Sequence, residues 1–182
     1  REMLRRLEFV MAGAPQRGLA GENILSEVLA HLPPGMRENN LRLGGKVVEF
    51  ALKLPGNKFL PVDSKWPDAS WLEQLQSEED PEARKVLAKR IEKAVLTRAS
   101  EVAKYLQPDR TMMLGVAAVP DAVYHASVRA HARAYRLGVI VIPYSLAVPY
   151  VLSVLVLAWR FGQVLDPNRL QGGLAAVGQS LE

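Results

Sequence analysis

The chain has 182 residues, 49% of them hydrophobic and 23% charged, with a formal net charge of +4. That length and balance fit one soluble globular domain and exclude a disordered or collagen-like chain. The absence of cysteine excludes a disulfide scaffold, a thiolate-ligated zinc site and a thiol nucleophile; the three histidines, His31, His125 and His131, lack metal-ligand spacing. A cysteine-free composition suits a reducing compartment, and the expected location is the cytoplasm. The mild positive charge permits a polyanionic partner without requiring one.

The chain begins at Arg1, which reads as a fragment of a longer protein. Residues 1–12 carry Met3, Leu4, Leu7, Val10 and Met11 at helical spacing, the expected end of a helix or coiled coil. Residues 13–182 are expected to form the domain proper. A helix is predicted over 18–31, stopped by Pro33-Pro34-Gly35. Strand-like runs follow at 45–53 and 59–65, separated by the turn residues Pro55-Gly56-Asn57. After a short helix ending near Leu75 comes a long one over 81–106, with Leu87, Ile91, Val95, Val102 and Leu106 on one stripe. Then come a strand at 111–119, a helix at 121–135, a strand at 139–142, and helices at 145–163 and 167–181. Residues 138–159 have no charge and match a membrane span in length. Pro143, Pro149 and the β-branched block Val139-Ile140-Val141-Ile142 divide that run into a buried strand and a core helix instead. The order of elements predicts an α/β fold, a mixed central β-sheet flanked by helices.

The hairpin carries the chemistry. Alternation puts Val48, Phe50 and Leu52 on one face and Glu49, Ala51 and Lys53 on the other; Leu60 and Val62 separate likewise from Asp63 and Lys65. A loop symmetric about Gly56 places Glu49 directly opposite Asp63, with Cβ atoms ~5 Å apart. Facing carboxylates repel, and a divalent cation between them converts the repulsion into coordination; Mg²⁺ favours one or two carboxylates plus waters. Lys65, one pleat on, is placed to orient an attacking water or offset charge on a phosphate. Glu22, three and seven residues before Leu25 and Leu29, lies on the inward side of its helix, where a carboxylate is costly unless paired or metal-bound. The plainer alternatives are a solvated hairpin face and a helix-dipole partner in a first turn.

Glu49 and, fourteen residues on, Asp63-Ser64-Lys65, together with Glu22, resemble the PD-(D/E)xK nuclease constellation. More specifically, Arg17-Gly18-Leu19-Ala20-Gly21-Glu22, Val48-Glu49-Phe50 and Leu60-Pro61-Val62-Asp63-Ser64-Lys65-Trp66-Pro67 resemble the RmuC family, bacterial proteins described as DNA recombination proteins. The later Val139-Ile140-Val141-Ile142-Pro143 run is similar as well, so the likeness extends over residues 15–165. The resemblance implies a restriction-endonuclease-like core and a Mg²⁺- or Mn²⁺-dependent DNA nuclease of recombination or repair. In that scheme Glu22, Glu49 and Asp63 are the metal ligands and Lys65 the fourth catalytic residue. It also implies an upstream coiled coil, a route to homo-oligomers, and a membrane anchor preceding it in the full-length protein. Glu49 departs from the family pattern, which has Asp there. The longer side chain shifts a bound cation by about one methylene, and Mg²⁺ geometry is strict.

Residues 81–106 hold seven Lys or Arg and three Glu. Lys85, Lys89 and Lys93 form one stripe at four-residue spacing, and Arg129, Arg133 and Arg136 form a second cluster. Both are expected to contact DNA phosphates, against the alternative of ordinary solvated helix faces. Trp66, Trp71 and Trp159 are read as core or rim packing rather than base-stacking platforms. The rival to a nuclease is a catalytically weak or silent DNA-binding or structural module of a coiled-coil assembly. The presence of both Asp63 and Lys65 favours the nuclease.

Overall fold

A computed structural model describes residues 25–26, 29–30, 32–64, 66 and 70–161. In chain order it contains β1 (Arg37–Leu43), β2 (Lys46–Leu54), β3 (Lys58–Asp63), α1 (Ser70–Ser77), α2 (Pro81–Ala103), β4 (Gly115–Val119), α3 (Asp121–Ala126), α4 (Val128–Arg136), β5 (Val139–Pro143) and α5 (Tyr144–Phe161). The strands form one sheet in the order β1-β2-β3-β4-β5. β1, β2 and β3 pair antiparallel, whereas β3–β4 and β4–β5 are parallel, so the sheet is mixed, as expected.

Local chemistry explains the connections. Gly44 and Gly45, with φ of 59° and 76°, supply the two left-handed positions of a tight β1–β2 turn. Gly56 and Asn57 turn β2 into β3 the same way, with φ of 74° and 57°. The side chain of Asp80 accepts hydrogen bonds from the backbone N–H groups of Glu82 and Ala83 at 3.2 and 3.3 Å, and Pro81 opens α2. Asp121 accepts from the backbone N–H and hydroxyl of Ser145, tying the first turn of α5 to the start of α3.

Several expectations change. β1 is an added strand, unmarked by hydrophobic alternation because its sequence RENNLRL buries only Leu43 at the sheet edge. The helix expected over 121–135 is two helices. Ser127 leaves helical geometry at φ −117°, ψ 24°, and its hydroxyl donates to the Val123 carbonyl at 2.7 Å, competing with the helical ladder. The strand expected from Thr111 shortens to Gly115–Val119, preceded by an isolated Phe59–Thr111 bridge and by Met113 at φ 56°. Of the helix at 18–31, residues 25–26 and 29–30 are helical; the helices at 3–11 and 167–181, and the 1–12 segment as a whole, lie outside the described residues.

Both faces of the sheet are covered. The crossovers β3-α2-β4 and β4-α3/α4-β5 advance across the sheet in one direction, and right-handed crossovers of that kind place their helices on the same face. α2 and α4 accordingly share a core with Ala117, Val119, Val139 and Val141 through Leu87, Ile91, Val95, Ala99, Val102, Ala130 and Ala134. The opposite face, with Leu52, Leu60, Val62, Val116 and Ala118, packs on α5 and on Leu25, Leu29 and Leu32. The apolar 144–161 run is long and apolar enough to cross a membrane, and it turns Ala147, Val148, Val151, Leu152 and Leu155 into this core. Trp66 and Trp71 meet edge-on at 6.1 Å between ring centres and pack against the α2 layer, while Trp159 packs against the α5 layer.

Candidate functional site

Asp63 is the last residue of β3, the middle strand of the sheet, and lies beside Ala117 of β4. Its neighbours in sequence lock the strand end from the other side. Val62 is buried in the α5 layer, and the Ser64 carbonyl accepts a hydrogen bond from the Tyr144 hydroxyl at 2.6 Å. Alternation therefore turns Asp63 toward α2, where its Oδ2 lies 3.2 Å from Nε of Arg98. The Arg98 Nη1 reaches Oε2 of Glu101 at 2.8 Å. Burial of the guanidinium opposes its charge, but Asp63 together with Glu101 offsets this and holds its pKa above the ordinary arginine value. Asp63 is thus a carboxylate fixed by strand pairing, by a buried backbone hydrogen bond and by a cation.

Glu49 lies in β2. The β2–β3 register is the one expected from a loop symmetric about Gly56: Leu54 pairs with Lys58, Leu52 with Leu60 and Phe50 with Val62. Glu49 and Asp63 occupy the next position beyond that last pair. The face assignment needs a correction. Phe50 and Leu52 pack against the α5 layer, but Val48 joins Leu43, Ala51 and Phe59 instead. The cause is opposite Glu49, where Asn40 of β1 has φ 52° and the β1–β2 ladder passes from Asn39–Phe50 to Leu41–Val48. The expected solvent surface around Asp63 is likewise corrected: α2 covers it, and the Asp63 side chain is 18% exposed. Glu49 itself is exposed.

Glu22 and Lys65 lie outside the described residues, and among those described no group of three or more His, Asp or Glu side chains forms a metal cluster. The described donors of the expected set are the oxygens of Glu49 and Asp63. Hard carboxylate oxygens completed by water suit Mg²⁺ or Mn²⁺.

Arg98 is the residue that the reading of the sequence passed over. Its signal was present: position 98 lies seven residues after Ile91 and three after Val95, on the inward stripe of α2, where an arginine calls for a carboxylate partner.

The predicted basic residues are all exposed, Lys85, Lys89 and Lys93 on α2 and Arg129, Arg133 and Arg136 on α4. The fold sets the two helices side by side, so Lys89, Lys93 and Arg133 line one groove of about 390 Å³. Lys85 instead pairs with Glu82 at 2.7 Å.

A mixed sheet covered on both faces, with a strand-end carboxylate held by a cationic helix, defines an α/β domain that combines an acidic centre with a basic flank. The chain belongs to the RmuC family, whose model matches residues 1–133. Membership suggests a role in DNA recombination. No curated protein and no solved structure matches the chain.

Proposed function

We propose that this chain is a metal-dependent DNA phosphodiesterase domain of the PD-(D/E)xK kind, acting in recombination or repair. The observation that carries the reading is Asp63, a carboxylate immobilised at the end of the middle strand of the sheet and facing a basic helix. Functional carboxylates need such rigid support, because a small displacement at a reacting centre is costly. Asp63 and Glu49 serve as the metal-holding oxygens, with Glu22 as a third ligand or a hydrogen-bonding partner. Lys65 orients the attacking water and offsets charge on the phosphorane. A bound Mg²⁺ supplies Lewis acidity at the scissile phosphate.

One observation favours the rival reading of a silent DNA-binding module. Arg98 already neutralises Asp63, the service a metal would otherwise provide. Incubating linear, single-stranded and branched DNA with wild type and Asp63→Ala, in Mg²⁺, Mn²⁺ or EDTA, separates the two. Metal-dependent cutting by wild type that is lost in the variant supports the nuclease. Equal cutting by both proteins overturns the site, and no cutting by either leaves the DNA-binding module as the better description.

A further inference from the structure

The two basic clusters that the sequence presents separately converge in the fold. α4 turns Ala130 and Ala134 inward, 1% and 0% exposed, and methyl-sized side chains let it approach α2 closely. The row formed by Lys89, Lys93, Thr97 and Ser100 on α2 then faces Arg133 of α4 across the groove. The hydroxyls of Thr97 and Ser100 donate to the Lys93 and Leu96 carbonyls of their own helix at 3.0 and 2.8 Å. What remains is cationic chemistry, with Glu92 the one carboxylate in the lining. Among the described residues no ion pair includes Lys89, Lys93 or Arg133. Three cations against a single carboxylate leave the groove with an excess of positive charge, whose repulsion is relieved when an anion enters.

We propose that the α2–α4 groove is a binding track for the phosphodiester backbone of a nucleic acid strand, with Lys89, Lys93 and Arg133 as its phosphate contacts. The inference rests on the reading of this chain as a DNA-acting protein. It adds where the strand runs and which cations hold it. Lysines four residues apart on a helix advance about 6 Å, near two nucleotide rises of roughly 3.4 Å each, so successive side chains meet a repeating polyanion. No aromatic side chain lines the groove, so it offers no stacking platform for bases, and contacts to phosphates alone carry no sequence information. Lys85 lies on the same α2 stripe but outside the groove and is held by Glu82; it is not a contact.

The test is fluorescence anisotropy with labelled oligonucleotides of unrelated sequence, in EDTA so that cleavage is silent, across a range of salt concentration. Replacing Lys89, Lys93 and Arg133 together by Gln is expected to reduce the slope of log affinity against log salt by about two to three units. Lys85→Gln is expected to leave it unchanged. An unaltered slope in the triple variant overturns the track. Equal loss in Lys85→Gln overturns the groove in favour of a diffuse helix face, and polyglutamate displacing DNA at matched charge overturns nucleic acid as the occupant. Because no metal is present, failure of the cleavage proposal at Asp63 and failure of this track are read in separate experiments.

Discussion

Asp63, with 18% of its side chain exposed, has one oxygen on Arg98, and that guanidinium helps its charge to be tolerated. Arg98→Met is expected to destabilise the fold by about 1–3 kcal/mol, between the cost of breaking an exposed pair and that of breaking a fully buried one, as measured by urea denaturation. The same substitution removes a cation that competes for the carboxylate, so calorimetric Mg²⁺ affinity should rise. An unchanged affinity would place the metal away from Asp63. Asp63→Ala, by contrast, should lose both metal affinity and cleavage. Lys65→Ala separates the roles further: metal affinity should hold or increase slightly, while single-turnover cleavage falls about a hundredfold. Wild-type cleavage by that variant would remove the lysine from the chemistry.

At the level of elements, α2 and α4 carry the measurable dependences. Losing the Asp80 cap through Asp80→Ala should cost about 1 kcal/mol, because two N–H groups at the start of α2 lose their acceptor. On α4, His131 stacks on Tyr124 with ring centres 4.3 Å apart. Burial lowers its pKa, with nearby His125 acting in the same direction and a backbone hydrogen bond at Tyr124 opposing. The folded state therefore favours neutral imidazole, and the unfolded chain binds the proton more readily. Stability from this residue is complete above the ordinary imidazole value of about 6.5 and declines as pH falls from there toward the lowered folded value. Thermal melts at about pH 7.5 and about pH 5.5 should show a smaller acid loss for His131→Gln than for wild type. An identical loss would assign the acid sensitivity to other groups.

For the molecule as a whole, one sheet is clamped between two independent apolar layers. Ile91 and Leu155, both 0% exposed, anchor α2 and α5 on opposite faces. Each changed to Ala should cost about 2–5 kcal/mol by chemical denaturation. Because the sheet separates them, the double variant should be additive within about 0.5 kcal/mol. A larger coupling would mean that the two layers communicate through the central strands.

Three features were legible in the sequence: the mixed α/β class, the long α2 with its apolar stripe, and the hairpin register about Gly56 that pairs Phe50 with Val62. Each follows from local information: hydrophobic periods, turn residues and a symmetric loop. It did not reveal β1, because a polar edge strand needs no apolar alternation, and it misplaced Val48, because the left-handed Asn40 acts from the neighbouring strand. The cover over Asp63 was equally hidden. Alternation shows that two faces exist but not which helices lie on them. That Arg98, thirty-five residues beyond Asp63 in the chain, neutralises it follows from the packing of α2 over β3. The same holds for Lys89, Lys93 and Arg133. Their meeting depends on two crossovers advancing in one direction and on Ala130 and Ala134 letting the helices close, which is long-range packing that no local window contains.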